Sequence, residues 1–152
     1  NFQGEAGPIV PTDTETLIEG YPYESTHGTV NYTVDAVNGT VLPLTSGVYR
    51  VSAKIQGVAT ANDTVHTLRL YTGLRVDTDN FPIDIALEES TEARDFSLQI
   101  VAVVEFPTTP NPLAPLYMTY EQDSGGNISL NTLAQATIRG IHGMQLSVEK
   151  IA

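Results

Sequence analysis

From Thr45 to Gly57 the chain reads "TSGVYRVSAKIQG", and its side chains alternate without interruption: Tyr49, Val51, Ala53 and Ile55 fall on one side, Arg50, Ser52, Lys54 and Gln56 on the other. Strict period two over this length predicts a β-strand with one face in a core and one in water. The same period returns in "TVHTLRLYTG", which places Leu68 and Leu70 inward and Arg69 and Tyr71 outward, and in "DFSLQIVAVVEF", which places Phe96, Leu98, Ile100, Ala102 and Val104 on one face. Val101 and Val103 fall on the opposite face of that last strand. Two valines on a nominally wet face predict that something covers them, a loop or a neighbouring subunit.

Further strands are predicted in "GTVNYTVDAVNGTVLPL", "LYMTYEQ", "NISLNT" and "GMQLSVEKI". In the first of these Val30, Tyr32 and Val34 share a face, and Asn38-Gly39 signals a hairpin because both residues tolerate positive φ. Pro43 cannot donate to a ladder, so the returning strand is expected to lie at an edge or to end there. "PTTPNPLAP", residues 107–115, reads as a rigid loop and Asp123 to Gly126 as a plain turn. No window combines a 3.6-residue period with caps, so helix is expected to be scarce. About eight to ten short strands with regular punctuation define an all-β sandwich or barrel.

The N-terminal segment differs. Glu5 to Glu24 mixes Pro, Gly, Thr and acid around a short apolar patch at Leu17 and Ile18. It reads as an extended arm, lying across a neighbouring subunit or forming an ordered edge. Asn1–Gly4, "NFQG", resemble the tail of a protease-tag scar, and no function is assigned to them. The chain thus divides into an arm, residues 1–28, and one folded domain, residues 29–152.

A single domain suits 152 residues, and the Thr, Gly and Pro content suits strands joined by turns. The formal charge of −11 repels a phosphate backbone and an anionic bilayer, so neither nucleic acid nor membrane is an expected partner. Such acidity instead keeps a displayed surface soluble. The absence of cysteine removes disulfides, thiol catalysis and thiolate metal sites.

Candidate chemistry is sparse. The histidines, His27, His66 and His142, sit in no recognisable motif. His66 is in phase with Leu68 and Leu70 and reads as a satisfied core imidazole; His27 and His142 neighbour glycines and read as turn residues. No serine stands in a nucleophile elbow. Asp77, Asp79, Asn80 and Asp84 supply oxygen ligands at a spacing a hard cation could accept, but the stretch lacks the glycine and terminal glutamate of a calcium loop and reads as solvated. Glu88 to Asp95, interrupted by Arg94, reads as a solvated loop or single turn able to meet a basic partner. Sequons begin at Asn31, Asn38, Asn62 and Asn127, as a Thr-rich strand protein produces without modification. No catalytic residue, cofactor or metal is expected.

Gly47-Val48-Tyr49-Arg50-Val51-Ser52 resembles the central strand of the tumour necrosis factor and complement-type globular head, a jelly roll also met in small bacteriophage virion proteins. "TLRLYTGLRVDT", "FSLQIVAVVEF" and "GMQLSVEKI" resemble that family's strand pair, long inner strand and closing strand, the last ending in the Val-Glu-Lys-Ile manner of phage members. The likeness runs from about Thr29 to Ala152. One departure is Ile141-His142-Gly143-Met144, where complement-type heads place Phe and Gly. The resemblance implies an antiparallel jelly-roll sandwich assembled as a homotrimer, with Val101 and Val103 at subunit contacts and Arg50 and Lys54 on a displayed face. It further implies a non-enzymatic capsid decoration (cement) protein on the virion surface, bound to the major capsid protein at local threefold positions. The alternatives it leaves are the receptor-binding tip of a phage fibre and a secreted ligand.

Overall fold

The computed structural model describes residues 9–19, 32–35, 38–59, 61–72, 83–92, 95–106, 115–130 and 144–152. Eleven strands and no helix occur among them: β1 (Ile9–Val10), β2 (Thr16–Leu17), β3 (Tyr32–Asp35), β4 (Thr40–Pro43), β5 (Gly47–Val58), β6 (Thr64–Thr72), β7 (Asp84–Ser90), β8 (Asp95–Phe106), β9 (Leu116–Gln122), β10 (Ile128–Ser129) and β11 (Met144–Lys150). A six-stranded sheet runs β3-β4-β9-β6-β7 with β2 also on β9, a three-stranded sheet runs β11-β5-β8, and β1 pairs with β10. Every described pairing is antiparallel.

The alternation in the sequence sets which face of each strand is dry. Tyr49, Val51, Ala53 and Ile55 of β5 and Phe96, Leu98 and Ile100 of β8 line one wall of the core; Leu68 and Leu70 of β6 and Met118 and Tyr120 of β9 line the other. Each such side chain taken fully out of water contributes roughly 1.5–3 kcal/mol before entropy is charged against it. Tyr49 brings a hydroxyl into this wall, and it donates to Thr45 O at 2.8 Å. Beside it, Phe106 meets the Tyr49 ring edge-on at 5.6 Å.

Residues 9–19, inside the segment expected to be an arm, are built into the sandwich. Val10 and Ile18 are fully buried. The Gln122 side chain donates to Val10 O at 3.0 Å, Asp13 N donates to Gln122 O at 2.7 Å, and Ile18 N donates to Met118 O at 3.1 Å. Of the apolar patch at Leu17 and Ile18, Ile18 is therefore a core contribution and Leu17 is half-buried, the segment being held in place by backbone pairing to β9.

The Asn38-Gly39 hairpin forms, but only Gly39 takes a positive φ, 68°. Asn38 is held by Asp35, whose carboxylate accepts from the Asn38 backbone N at 3.1 Å and from its Nδ2 at 2.7 Å. A Cβ on Gly39 would stand 2.1 Å from Ile18 O, so the glycine also makes room for the β2 segment. β4 lies between β3 and β9 and stops at Pro43, as its missing donor requires.

Two expectations need correction. Glu88 to Asp95 is a loop or turn only in part: Glu88, Glu89 and Ser90 belong to β7 and Asp95 opens β8, with Thr91 and Glu92 in a bend after β7. Register pairing of Glu88 with His66, Glu89 with Val65 and Ser90 with Thr64 carries the strand through the acidic residues. Tyr71, assigned to the wet face of β6, keeps that side but is only 8% exposed. It stacks on Tyr117 at 5.1 Å and its hydroxyl donates to Glu15, which also accepts from Thr119 Oγ1 at 2.8 Å. Burial, and after it this carboxylate, pushes the Tyr71 phenol up to about 12. Glu15 thus seals the outside of β6 and β9 with help from Arg69, which pairs with Glu121 at 2.9 Å. Replacing Glu15 with Ala is expected to cost about 1–2 kcal/mol, because buried hydroxyls lose their acceptor; the midpoint of urea unfolding measures it.

Candidate functional site

The buried polar groups converge on His66. Its Nδ1 lies 2.6 Å from the Tyr120 hydroxyl on β9 and its Nε2 2.9 Å from Ser90 Oγ on β7. Phe96, from the opposite sheet, stacks on the imidazole at 4.0 Å and 18°. Burial raises the Tyr120 phenol, with Asp123 adding to the effect, so that hydroxyl keeps its proton. In the neutral imidazole one ring nitrogen donates and the other accepts, and the Tyr120 and Ser90 hydroxyls can each fill either role. Burial also pulls the imidazole down to about 4, against a smaller opposing pull from Asp123.

Serine, histidine and a third hydroxyl in hydrogen-bonded order have the outline of a nucleophile, its base and an orienting group. Accessibility decides against that chemistry. His66, Ser90 and Tyr120 are each 0% exposed, so a substrate carbonyl has no approach to Ser90 Oγ. Sequence periodicity placed His66 in the core; it carried no sign of Ser90 or Tyr120 as partners, which come from strands 24 and 54 residues further on.

Of the other sequence candidates, few are among the described residues. His27, His142, Asp77, Asp79, Asn80, Arg94, Asn31 and most of the 107–115 loop lie outside the described residues. Asp84 is exposed at the start of β7, where its Oδ1 accepts from Ile85 N at 2.8 Å. Among the described residues no three His, Asp or Glu side chains form a group able to hold a metal ion. Asn38, Asn62 and Asn127 are exposed in separate turns.

The described surface with functional geometry is the outer face of the three-stranded sheet. Register places Glu149, Arg50 and Val103 in one row across it, Ser147, Ser52 and Val101 in the next, and Gln145, Lys54 and Gln99 in the third. No described element covers these rows: Val101 is 57% and Val103 63% exposed. The loop or subunit expected over them is thus not a described part of this chain. Arg50 is matched by its row neighbour Glu149 at 3.4 Å, an exposed pair of little energetic weight. Lys54 has amides on both sides and makes no ion pair among the described residues. The surface can offer apolar contact, amide hydrogen bonds and an unspent positive charge.

The arrangement of strands is that of a TNF-like jelly roll. The chain is similar to Eiger TNF from S. frugiperda, at 16% identity and a TM-score of 0.50, over 92% of this chain and 93% of that one. It is similar also to murine APRIL, in a crystal structure at pH 5.0, at 8% identity and a TM-score of 0.51, over 82% of this chain and 92% of the other. At these identities the likeness is one of fold. No protein-family model matches the sequence, and no curated protein does.

Proposed function

We propose that the chain is a non-enzymatic structural protein that assembles as a homotrimer through the open face of its three-stranded sheet and decorates a bacteriophage capsid, seated on the major capsid protein at local threefold positions. The observation that carries this reading is the uncovered pair Val101 and Val103 on β8, at one side of the outer face of the three-stranded sheet. Aliphatic side chains so placed gain about 25 cal/mol for each Å² removed from water when a second surface covers them. The charge of −11 suits a protein displayed at high density on a particle. The phage context is supported by the resemblance of the closing strand, which ends Val148-Glu149-Lys150-Ile151.

The test is in two stages. Sedimentation velocity should show a species containing three chains of 16.4 kDa, and the purified protein should bind undecorated heads of its own virus and raise the temperature at which they release DNA. Heads that neither bind it nor gain resistance would sink the decoration role, and binding to host cells in place of heads would assign the trimer to a fibre tip.

A further inference from the structure

One side of β9 is closed by a short stretch of chain. Toward β6, β9 is paired from Leu116 to Gln122. Toward β4 it meets Val41 in register at Leu116, and beyond that point its described partner is the N-terminal segment: Leu17 pairs with Thr119 and Thr16 with Tyr120, Ile18 N donates to Met118 O at 3.1 Å, and Asp13 N donates to Gln122 O at 2.7 Å. A turn at Thr12 and Asp13, where Asp13 takes a φ of 53°, separates this half from β1, in which Ile9 pairs with Ser129 and Val10 with Ile128. Gly125 N donates to Thr12 Oγ1 across that turn at 2.9 Å. The β9–β10 hairpin therefore supplies the register partners of both β1 and β2, and β6 holds that hairpin from the other side. Val10 and Ile18 are fully buried, while Pro11, Asp13 and Thr14 between them are exposed.

We propose that this acceptor, the β4 side of β9 together with β10, takes residues 9–19 of a second copy in place of its own, so that two copies exchange their N-terminal strands. What the acceptor recognises is set by its resident: extended backbone that donates to Met118 O and Gln122 O, aliphatic side chains at the Val10 and Ile18 positions, and between them a carboxylate for the Tyr71 and Thr119 hydroxyls with Arg69 nearby. A second copy offers all three in the same order. With two fully buried side chains, the segment detaches at a lower free energy than the sheet it lies on, which β6 keeps paired. Its departure leaves carbonyls of β9 and two apolar pockets without partners, and an open strand edge of that kind captures another strand. The twelve residues 20–31 that join the segment to β3 reach about 40 Å at full extension, more than the roughly 30 Å across a small domain. This exchange uses a surface apart from Val101 and Val103 and does not rest on the capsid reading.

The chain contains no cysteine, so disulfide capture reads the exchange without background. Ile9 and Ser129 are both exposed and stand opposite each other in register, a placement that a disulfide accepts. Circular dichroism of each variant shows that the fold is kept. In the double variant Ile9→Cys with Ser129→Cys, oxidised at low concentration, the bond should close within one chain. Ile9→Cys and Ser129→Cys made as separate proteins, unfolded together in urea, refolded at high concentration and then oxidised, should give cross-linked pairs holding one of each, about tenfold more than the same proteins mixed after folding apart. If those mixed pairs do not exceed pairs of two Ile9→Cys chains while the double variant closes, the segment binds its own copy alone and the proposal is wrong. An oligomer that forms without the mixed bond has assembled through another surface and overturns the exchange as well. Failure of the double variant to close removes the pairing on which the proposal stands.

Discussion

Lowering the pH from 7 to 4 is expected to remove on the order of 3 kcal/mol of folding stability through His66 alone. The imidazole is enclosed by Tyr120, Ser90 and Phe96 with no exposed surface, and it is neutral because charging it there costs solvation that a hydroxyl on each side does not replace. Burial depresses it from 6.5 to about 4. The folded state therefore holds fewer protons than the unfolded chain between those values, which fixes the sign: stability from this group is complete above pH 6.5, declines as the pH falls, and is exhausted near pH 4. Asp123, whose carboxylate accepts from Val65 N at 2.7 Å, offsets part of the loss but ranks below burial. His66→Phe retains the stack on Phe96 and removes the titration. It should be less stable than the parent at pH 7 by about 1–3 kcal/mol, because Tyr120 and Ser90 lose their partner. It should also lose distinctly less stability between pH 7 and pH 4 than the parent does. Urea unfolding of both proteins at the two pH values measures the difference. Equal losses would place the acid sensitivity in the carboxylates and leave His66 out of it.

That result bears on what the sequence disclosed. Side-chain alternation was sufficient to orient β5, β6 and β8, because a strand buried on one face prints period two directly into its residues, and it set His66 inward beside Leu68 and Leu70. It failed where a surface is covered by something distant in the chain. β9 is buried on both sides, and the covering residues, Glu15 and Tyr71, lie 104 and 46 positions before Thr119 and Tyr117. Period two in "LYMTYEQ" carries no trace of that cover. The acidic run at Glu88 was misjudged for a related reason: charged residues are depleted in strands, yet an edge strand tolerates them, here Glu89 on its exposed side and Glu88 half-buried opposite His66. The sheet face with Val101 and Val103 was legible because two valines out of phase contradict the wet role of their side. What covers that face was not, since no described element of this chain lies over it.

The stack around His66 also explains a glycine that the strand pattern alone does not. Gly57 sits near the end of β5, directly opposite Phe96 in register, with φ in the ordinary range, so conformational freedom is not its purpose. A Cβ at this position would lie 2.8 Å from Phe96 Cζ and 3.2 Å from Ser129 O. The ring has little room to retreat, since it is stacked on His66 at 4.0 Å and on Tyr120 at 5.7 Å. Gly57→Ala is therefore expected to destabilise the protein by about 1–3 kcal/mol through overpacking. Phe96→Ala is expected to cost about 3–5 kcal/mol by opening a cavity over the imidazole. The two changes share one volume, so they should not add: with the ring gone, the two nearest contacts of the new methyl are removed and it fills part of the void, and the double variant should be at least about 1 kcal/mol more stable than the sum of the single losses. Thermal or urea unfolding of the four proteins gives the coupling. A coupling near zero would mean that Phe96 yields to the methyl by rotating, in which case the ring, and the His66 environment it helps to keep dry, is looser than its stacked geometry requires.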